Sequence, residues 1–337
     1  MQRRHALTRP LAWLAAALVP GSAAFAASAA KPPDPLACLV PAKAGGGFDL
    51  TCKMAAALLD HAKPGPSLKT LDISYLPGGI GALAFDRMTT GKLANPNTLV
   101  AFSSGSLLNL AQGKFGPHSA ADVRWLAAIA TDYGVIVVHK DSPIQSLSAL
   151  GTALKKDLAS VIFGAGGTVG SQDWIKAALI VKAAGKDHKS MRFVSFEGGG
   201  DAMGALAGQH VTVFCGDLAE VVQAIRAGAP LRVLAVLAAQ RLPGTQAHLP
   251  TAREQGVNLV WPTVRGLYVS RNVSDATYQH WASLFATALN APGLAPIRER
   301  YGVYPFALTG QALEDFVQEQ IKTYAVLASE LGLRVRP

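Results

Sequence analysis

Short apolar runs alternate with helix-like segments along most of this 337-residue chain. "ASVIFGA" precedes "SQDWIKAALIVKAAG", "VTVFCG" precedes "DLAEVVQAIRAG", and "LACLV" precedes a helical pattern that starts near Asp49. Short strands that alternate with helices are typical of mainly parallel sheets covered by helices. The alternation therefore predicts an α/β fold, and the sequence has no period of about 20–50 residues that would indicate a repeat protein.

Two distant segments have the same pattern. "DYGVIVVHKDSP", around residues 133–143, and "VRGLYVSRNVSD", around 264–275, each read as a strand, a turn and a helix start. If both strands cross between domains, the chain leaves a first lobe (34–134 plus 264–337), builds a second lobe (135–263) and returns. This organisation predicts two α/β lobes joined by two crossing strands, with a ligand cleft between them. Because strand–turn–helix units are common, coincidence stays open on pattern alone.

The first 26 residues have the features of a signal peptide. Arg3, Arg4 and Arg9 form a basic start, "LAWLAAALV" is an apolar run too short to span a bilayer, and "AFA" fits a cleavage site. We predict cleavage after residue 26 and export of a mature protein, with an uncleaved membrane anchor as the alternative. The formal charge of the full chain is +9, but the basic residues after the leader are scattered, so nucleic-acid binding is not favoured.

Four glycine-rich stretches follow predicted strands: "AKAGGGFD", "FSSGS", "GAGGTVGSQD" and "FEGGGD". Open α/β sheets bind ligands at the carboxyl ends of their strands, so these stretches are predicted to border one cleft. In the first of them, Gly45, Gly46 and Gly47 precede Asp49, which is predicted to be the N-cap of a helix. The unpaired N–H groups and the positive dipole end of such a helix start favour an anion. The plainer alternative is that the glycines form simple turns and that Asp49 is only a cap.

Sequence motifs of catalysis and of tightly bound cofactors are missing. Gly170 is followed by Ser171 rather than by the lysine of a P-loop, and Val169 stands where a dinucleotide fingerprint has a glycine. The sequence contains no G-x-S-x-G, HExxH or CxxC, and Ser103 and Ser104 have no His or acid at a diagnostic spacing. We therefore predict no catalytic residue, no metal site and no cofactor.

The chain has three cysteines: Cys38, Cys52 and Cys215. In an oxidising compartment, at most two of them can pair within one chain. Cys38 lies in an apolar, strand-like run and Cys52 in the first turn of the predicted helix, so a disulfide between them would fix the glycine loop. The alternative is that all three are buried thiols.

Several of these stretches, in this order, resemble one known family. The segments are "PAKAGGGFDLTC", "YLPGGIGA", "AFSSGSLLNLAQGKFG", "FGAGGTVGSQDW", "FEGGGDAMGALAGQHV", "RVLAVLAAQRLPG", "LPTAREQG" and "WPTVRGLYV". Together they are similar to the tripartite tricarboxylate transporter substrate-binding proteins (TctC), also called the Bordetella uptake gene or Bug family. The resemblance covers nearly all of the predicted mature chain. It is greatest to the tricarboxylate-binding branch, because of the GGGFDLTC loop and the Arg-Gly pair at Arg265.

The resemblance implies a type II periplasmic binding-protein fold whose two lobes close on a small carboxylate. It also implies that two facing loops bind the ligand, largely through backbone groups and ordered water. With the strand end in "FSSGS" and the return strand, the candidate ligand-binding residues are Ala44, Gly45, Gly46, Gly47, Phe48, Asp49, Ser103, Ser104, Gly166, Gly167, Thr168, Val169, Gly170, Ser171, Gln172 and Arg265. The second loop, "GGTVGS", is one residue longer than the common form of the family. This extra residue affects how tightly the loop is expected to hold the ligand.

Arg265 has two interpretations. Its planar guanidinium suits a ligand carboxylate near the hinge, but it could equally form an exposed or inter-lobe ion pair. We expect a periplasmic, monomeric receptor that captures a di- or tricarboxylate and delivers it to a membrane permease of a tripartite tricarboxylate transporter. The alternatives are an exported enzyme or sensor domain acting on a carboxylate, and a protein that only feeds a signalling partner.

Overall fold

The computed structural model describes residues 36–62, 71–93, 95 and 97–335, and the predicted signal peptide lies outside these residues. The strands are β1 (Ala37–Val40), β2 (Asp72–Tyr75), β3 (Thr98–Ser103), β4 (Val123–Tyr133), β5 (Val135–His139), β6 (Ile162–Gly166), β7 (Arg192–Phe196), β8 (Val213–Phe214), β9 (Leu231–Val236), β10 (Pro262–Ser270) and β11 (Leu308–Thr309). The α-helices are α1 (Gly47–Ala62), α2 (Ala82–Thr89), α3 (Ser104–Ala111), α4 (Leu147–Lys156), α5 (Gln172–Ala183), α6 (Gly199–Ala207), α7 (Leu218–Arg226), α8 (Asp275–Asn290), α9 (Ala295–Tyr301) and α10 (Gly310–Glu330). In this described part, no helix combines the length and the apolar character that crossing a bilayer requires.

The strands form two sheets, with the orders β11-β4-β10-β3-β1-β2 and β7-β6-β8-β5-β9. β1 runs parallel to β2 and β3, and β6 runs parallel to β7 and β8. β10 is antiparallel to β3 and β4, whereas β5 is antiparallel to β8 and β9. The sheets are therefore mixed rather than mainly parallel, because β4, β5 and β10, which carry the chain between the sheets, run against their neighbours.

We call the six-stranded sheet with its packed helices lobe 1 and the five-stranded sheet with its helices lobe 2. Two crossings connect the lobes, one at Gly134 between β4 and β5 and one at Trp261 before β10. The crossings are bonded to each other, since the Gly134 N–H donates to the Trp261 carbonyl (2.9 Å) and the Leu237 N–H donates to the Gly134 carbonyl (2.7 Å). The residue limits of the lobes given above remain a prediction.

Apolar side chains fill the space between each sheet and its helices. In lobe 1, α1 and α8 pack together through fully buried residues such as Met54, Leu58 and Phe285. In lobe 2, α6 and α7 contribute Leu206 and Val221 to a separate buried cluster. Burial of each such side chain stabilises the fold by roughly 1.5–3 kcal/mol. Each lobe therefore has a stable core that supports the loops at its sheet edge.

The C-terminal helix and the residues that follow it contact both lobes. α10 packs on α3 and β4 of lobe 1, and Tyr324 lies 6.1 Å from Trp261, measured between ring centroids. Beyond α10, the Leu331 carbonyl lies 3.3 Å from Nε2 of His188 in lobe 2. The end of the chain therefore contacts both lobes next to their crossings.

Cys38 of β1 and Cys52 of α1 are joined in a disulfide, with Cα atoms 5.7 Å apart, and Cys215 is a buried thiol. The bond links the first strand to the first helix, and the loop between them carries Gly45, Gly46 and Gly47. Burial raises the pKa of the Cys215 thiol well above its usual range. Cys215 is therefore held as a neutral, unreactive side chain.

We predict that this disulfide forms in the cell and stabilises lobe 1. Peptide mapping without reductant should recover Cys38 and Cys52 in linked peptides and Cys215 as a free thiol. Replacing the pair, in a Cys38→Ala/Cys52→Ala variant, should lower the free energy of unfolding by about 3 kcal/mol, the usual effect of a cross-link that closes a loop of about 15 residues. Three alkylatable thiols in protein isolated from the periplasm would contradict the pairing.

Candidate functional site

Five helices in the described part of the chain begin around one cavity, which encloses about 580 Å³ including its open mouth. α1 and α3 belong to lobe 1, whereas α5, α6 and α7 belong to lobe 2. Each of them places residues of its N-cap or first turn in the cavity wall. The residues that line the cavity are Ala42, Gly46, Gly47, Phe48, Ile80, Ser103, Gly105, Asn109, Gly166, Ser171, Gln172, Asp173, Gly198, Gly199, Asp217, Glu220 and Arg265.

Helix α1 begins three residues earlier than the sequence predicted, inside the first glycine loop. The Leu50 N–H donates to the Gly46 carbonyl, so Gly46 is the N-cap and the helix begins at Gly47. Asp49 is therefore not the N-cap. From the first turn, its carboxylate accepts the N–H of Gly45 at 2.8 Å, while Gly45 has a φ of 86°, a left-handed conformation that glycine adopts easily. This leaves the backbone of Gly46 and Gly47 facing the cavity.

Asp49 itself has no free oxygen for a ligand. In addition to the Gly45 N–H, it accepts a 2.7 Å bond from Nζ of Lys53 and a 2.9 Å bond from the hydroxyl of Tyr75. Its side chain is buried and does not line the cavity. The role of Asp49 is to hold the first loop in place.

The second loop, between β6 and α5, is held from lobe 1. Ser171 is the N-cap of α5, and its hydroxyl accepts the Trp174 N–H at 3.3 Å. Across the cleft, Nε2 of Gln112 donates to the Gly170 carbonyl (2.7 Å) and Nζ of Lys114 donates to the Val169 carbonyl (2.6 Å). The loop therefore contacts lobe 1 with its backbone, and the Val169 side chain remains 45% exposed.

A buried ion-pair network lies at the base of the cavity. Nε and Nη2 of Arg265 donate to Oδ2 of Asp132 at 3.1 and 2.5 Å, and Nη2 also donates to Oδ2 of Asp217 at 3.1 Å. Asp132 is on β4 and Asp217 is the N-cap of α7, so Arg265 connects both crossing strands to a helix of lobe 2. The inter-lobe ion pair considered for Arg265 is thus present, and Arg265 also lines the cavity.

Lys176 of α5 extends the network. Its Nζ lies 2.9 Å from Oδ1 of Asp217 and 3.1 Å from Oδ1 of Asp173, and it donates to the Gly216 carbonyl at 2.6 Å. Burial opposes the charge on Lys176, but Asp217 and Asp173 outweigh burial and raise its pKa. Lys176 therefore stays protonated and ties α5 to the start of α7.

Three carboxyl groups of this region have raised pKa values, and burial raises that of Asp173 although Lys176 opposes the shift. Burial raises the pKa of Asp132 to about 6, although Arg265 opposes the shift. Burial also raises the pKa of Glu220 to about 8, and the neighbouring Asp217 and Asp173 add to the increase. A pKa of about 8 keeps Glu220 protonated at neutral pH.

The structure brings half of the sequence-predicted residues to the cavity wall. Those that line it are Gly46, Gly47, Phe48, Ser103, Gly166, Ser171, Gln172 and Arg265. The other predicted residues, which do not line it, are Ala44, Gly45, Asp49, Ser104, Gly167, Thr168, Val169 and Gly170. Gly167 and Thr168 instead line a second cavity that adjoins the first and includes Lys114. Ser104 supports the site indirectly, since its hydroxyl accepts the Val264 N–H of β10 at 2.9 Å.

Sequence reasoning missed the acidic part of the wall and one amide. Asp217 and Glu220 form a capping box at the start of α7, and "D-x-x-E" after a predicted strand was a signal that could have located them. Asn109 of α3 is buried and lines both cavities, but nothing in its helical run distinguished it. Ile80 lines both cavities and has a φ of 49°. A left-handed conformation is rare for a β-branched residue, and no sequence pattern indicates it here.

We predict that alanine at Gly47 and at Gly46 has different effects on stability. A Cβ on Gly47 would overlap Nη1 of Arg265, which its ion pairs hold in place, whereas a Cβ on Gly46 would meet its nearest atoms at 3.5–3.6 Å. Gly47→Ala should therefore lower the free energy of unfolding by about 1–3 kcal/mol, the usual cost of overpacking. Gly46→Ala should change it little.

Urea unfolding of both variants measures the difference. The matched control is Gly151→Ala inside α4, where a Cβ meets nothing within 4 Å and better helix propensity should stabilise by about 0.5–1 kcal/mol. If Gly47→Ala were as stable as the wild type, the guanidinium would not be held rigidly.

Comparisons with known proteins agree with this architecture. The family described as tripartite tricarboxylate transporter family receptor matches residues 99–333. A UPF0065 protein of Bordetella pertussis is 22% identical over 303 residues, which cover 90% of this chain and 91% of that protein. Among solved structures, the periplasmic binding protein BugD has a TM-score of 0.76 at 19% identity, covering 90% of this chain and 99% of its own. Rpa4515 of R. palustris, solved with adipate, has a TM-score of 0.78 at 21% identity, covering 89% and 98%.

Proposed function

Because the chain belongs to the tripartite tricarboxylate transporter receptor family, we propose that it is a periplasmic receptor for a small di- or tricarboxylate. The ligand binds in the cavity between the lobes, and the loaded receptor delivers it to a membrane permease of that transporter type. The family and the fold are those of solute-binding proteins. A similar protein, Rpa4515, was solved with a dicarboxylate, adipate, which supports the ligand class.

The observation that carries this proposal is the convergence of five helix N-termini on one cavity. A helix N-terminus has a partial positive charge, worth about 0.3–1 kcal/mol to a nearby anion and more where the site is partly buried. Side chains cap some of the first N–H groups of α3, α5 and α7. Because the helices come from both lobes, a ligand with two or three carboxylates can bind several N-termini at once. A monocarboxylate would use fewer of them.

Contacts across the cleft support a closing mechanism. Nζ of Lys43, before α1, forms a 3.0 Å ion pair with Asp201 of α6, and Gln112 and Lys114 hold the second loop from lobe 1. The Lys43–Asp201 pair is solvent-exposed and contributes about 0–1 kcal/mol. A ligand that bridges the lobes therefore provides the differential binding energy that favours the closed form.

The serine hydroxyls at the cavity are engaged in helix caps rather than arranged as nucleophiles. Ser103 accepts the Gly105 N–H at 3.2 Å, and Ser171 accepts the Trp174 N–H. Among the described residues, neither hydroxyl has a histidine or an acid as a hydrogen-bond partner. This favours capture and release of the ligand over chemistry on it.

We predict that valine at Gly46 weakens ligand binding without unfolding the protein. The position faces Gly199 and Gly200 of α6 across the cleft, so the added methyl groups would fill the gap that closure needs. In titration calorimetry, the wild type should bind at least one of citrate, malate, succinate and adipate. Gly46→Val should bind the same acid at least tenfold more weakly.

The control for this experiment is Gly151→Ala, which should bind like the wild type. The melting temperature of Gly46→Val should remain within a few degrees of the wild-type value. Equal affinity in Gly46→Val would contradict the placement of the ligand. If the wild type bound none of the four acids and native mass spectrometry found no co-purified acid, the proposed function would be wrong.

A second prediction concerns closure. Small-angle scattering should give a smaller radius of gyration when the ligand identified by calorimetry is added at saturation, because the lobes rotate about the crossings at Gly134 and Trp261. Lys43→Ala is a useful comparison, since it removes the exposed inter-lobe pair and should leave this change nearly intact. An unchanged radius of gyration at saturation would rule out hinge closure while leaving binding itself in place.

A further inference from the structure

Four buried carboxyl groups surround two buried cations at the base of the cavity. The acids are Asp132, Asp173, Asp217 and Glu220, the cations are Lys176 and Arg265, and none of the six side chains is more than slightly exposed. If all of them were ionised, this region would have a net charge of −2. A buried net charge of this size is strongly unfavourable, and it would also repel any anionic ligand.

Pairing distinguishes Glu220 from the three aspartates. Each aspartate has a cation within 3.1 Å: Arg265 for Asp132, Lys176 for Asp173, and both cations for Asp217. Glu220 has no cationic nitrogen within 4 Å among the described residues. Glu220 is therefore the group whose negative charge is least stabilised.

The two oxygens of Glu220 have different surroundings. Oε1 accepts the backbone N–H of Asp217 at 3.1 Å, completing the capping box of α7. Oε2 has no hydrogen-bond partner in the part of the chain that the structure describes, and it lies against the backbone of Gly46 and Gly199 at the cavity wall. One oxygen is thus an acceptor in use, and the other lies beside the starts of α1 and α6, in a residue that lines the cavity.

We propose that Glu220 carries a proton on Oε2 at neutral pH and donates it in a hydrogen bond to a carboxylate of the ligand. This inference rests on the proposed function. It makes Glu220 a specificity-determining residue, because a neutral carboxyl accepts an anion that an ionised one would repel.

The electrostatic surroundings support this assignment. Burial first, and then the charges of Asp217 and Asp173, raise the pKa of Glu220 to about 8. Arg265 opposes the shift but does not reverse it. The charged groups facing Glu220 are Asp217 on its own helix, Asp173 and Lys176 on α5, Asp132 on β4 and Arg265 on β10, while α1 and α6 present backbone at Gly46 and Gly199.

Glutamine is a close mimic of protonated glutamate. In Glu220→Gln, the amide oxygen can accept the Asp217 N–H and the amide NH₂ can donate toward the cavity, as the protonated carboxyl does. The variant keeps the donor at every pH and never becomes charged. It therefore separates a donor role from the role of an ionised acceptor.

The test is calorimetry with citrate and succinate from pH 6.5 to 9.5. Wild-type affinity should be constant below about pH 8 and fall about tenfold per pH unit above it, because binding requires the proton. Glu220→Gln should bind within about threefold of the wild type at pH 7, and its affinity should fall less than the wild-type affinity does at high pH. The control, Glu319→Gln on the exposed side of α10, should follow the wild type.

The decisive quantity is the ligand affinity of the wild type divided by that of Glu220→Gln at each pH. Lys114 lines the adjoining cavity, and burial lowers its pKa to about 8, so it also loses charge in this range. Both proteins contain Lys114, so its contribution cancels in the ratio. A ratio that does not change with pH, or a loss of more than tenfold in Glu220→Gln at pH 7, would overturn the assignment.

A second measurement needs no ligand. In protein labelled with ¹³C at the glutamate carboxyls, the signal absent from Glu220→Gln should titrate near pH 8, and titration near the ordinary value of about 4.3 would overturn the proposal. The two failures are distinguishable. If citrate, succinate, malate and adipate all fail to bind the wild type and no acid co-purifies, although the signal titrates near pH 8, the donor role falls together with the proposed function. Binding with parallel pH profiles in wild type and Glu220→Gln overturns only the role of Glu220.

Discussion

The ion pairs of Arg265 determine how the two lobes meet. Arg265 on β10 binds Asp132 on β4 and Asp217 at the start of α7, so one side chain fixes both crossing strands and a helix of lobe 2. All three side chains are buried, and removal of one partner from such a pair costs about 3–5 kcal/mol because it leaves an unpaired charge. Lys176 forms an ion pair with Oδ1 of Asp217, the oxygen that Arg265 does not contact. The helix starts around the cavity are thus held by charges that compensate one another.

The same arrangement explains how an anion site can form without a free cation among the described residues of its wall. Arg265 is the cationic side chain among the residues that line the main cavity, and two aspartates already bind it. In the proposed receptor, attraction for a ligand carboxylate would therefore come mainly from backbone N–H groups at helix starts. This is consistent with the close approach at Gly46 and Gly47, where a side chain would block the backbone or displace Arg265.

The sequence predicted the two-lobed α/β fold, because strand and helix periodicities and the glycine-rich strand ends are local features. It also identified loops that contribute Gly46, Gly47, Ser171 and Gln172 to the cavity wall. It was wrong about Asp49, since the left-handed conformation of Gly45 starts the helix earlier and places Asp49 in the first turn. The positions of helix caps depend on such backbone angles, which residue type restricts only loosely.

The charged base of the cavity could not be predicted in the same way. Asp132, Asp173 and Lys176 come from different parts of the chain, and their burial and pairing depend on how the lobes pack rather than on any spacing along the chain. An acid that is buried next to two cations and one that is buried next to other acids look the same in a sequence. Their pKa values nevertheless move in opposite directions, as Asp217 and Glu220 illustrate.

A site made of backbone dipoles and paired charges also suits a receptor that must release its ligand. Each helix N-terminus contributes a small favourable energy, and the contributions add only while the lobes are closed and several N-termini surround the ligand. In the closing mechanism proposed above, separation of the lobes would move α1 and α3 away from α5 and α6, so the ligand would keep fewer N-termini. A free lysine or arginine in the wall would keep much of its attraction in the open form and would slow release. In the proposed receptor, dependence on closure would thus combine tight capture with ready delivery by the same few groups.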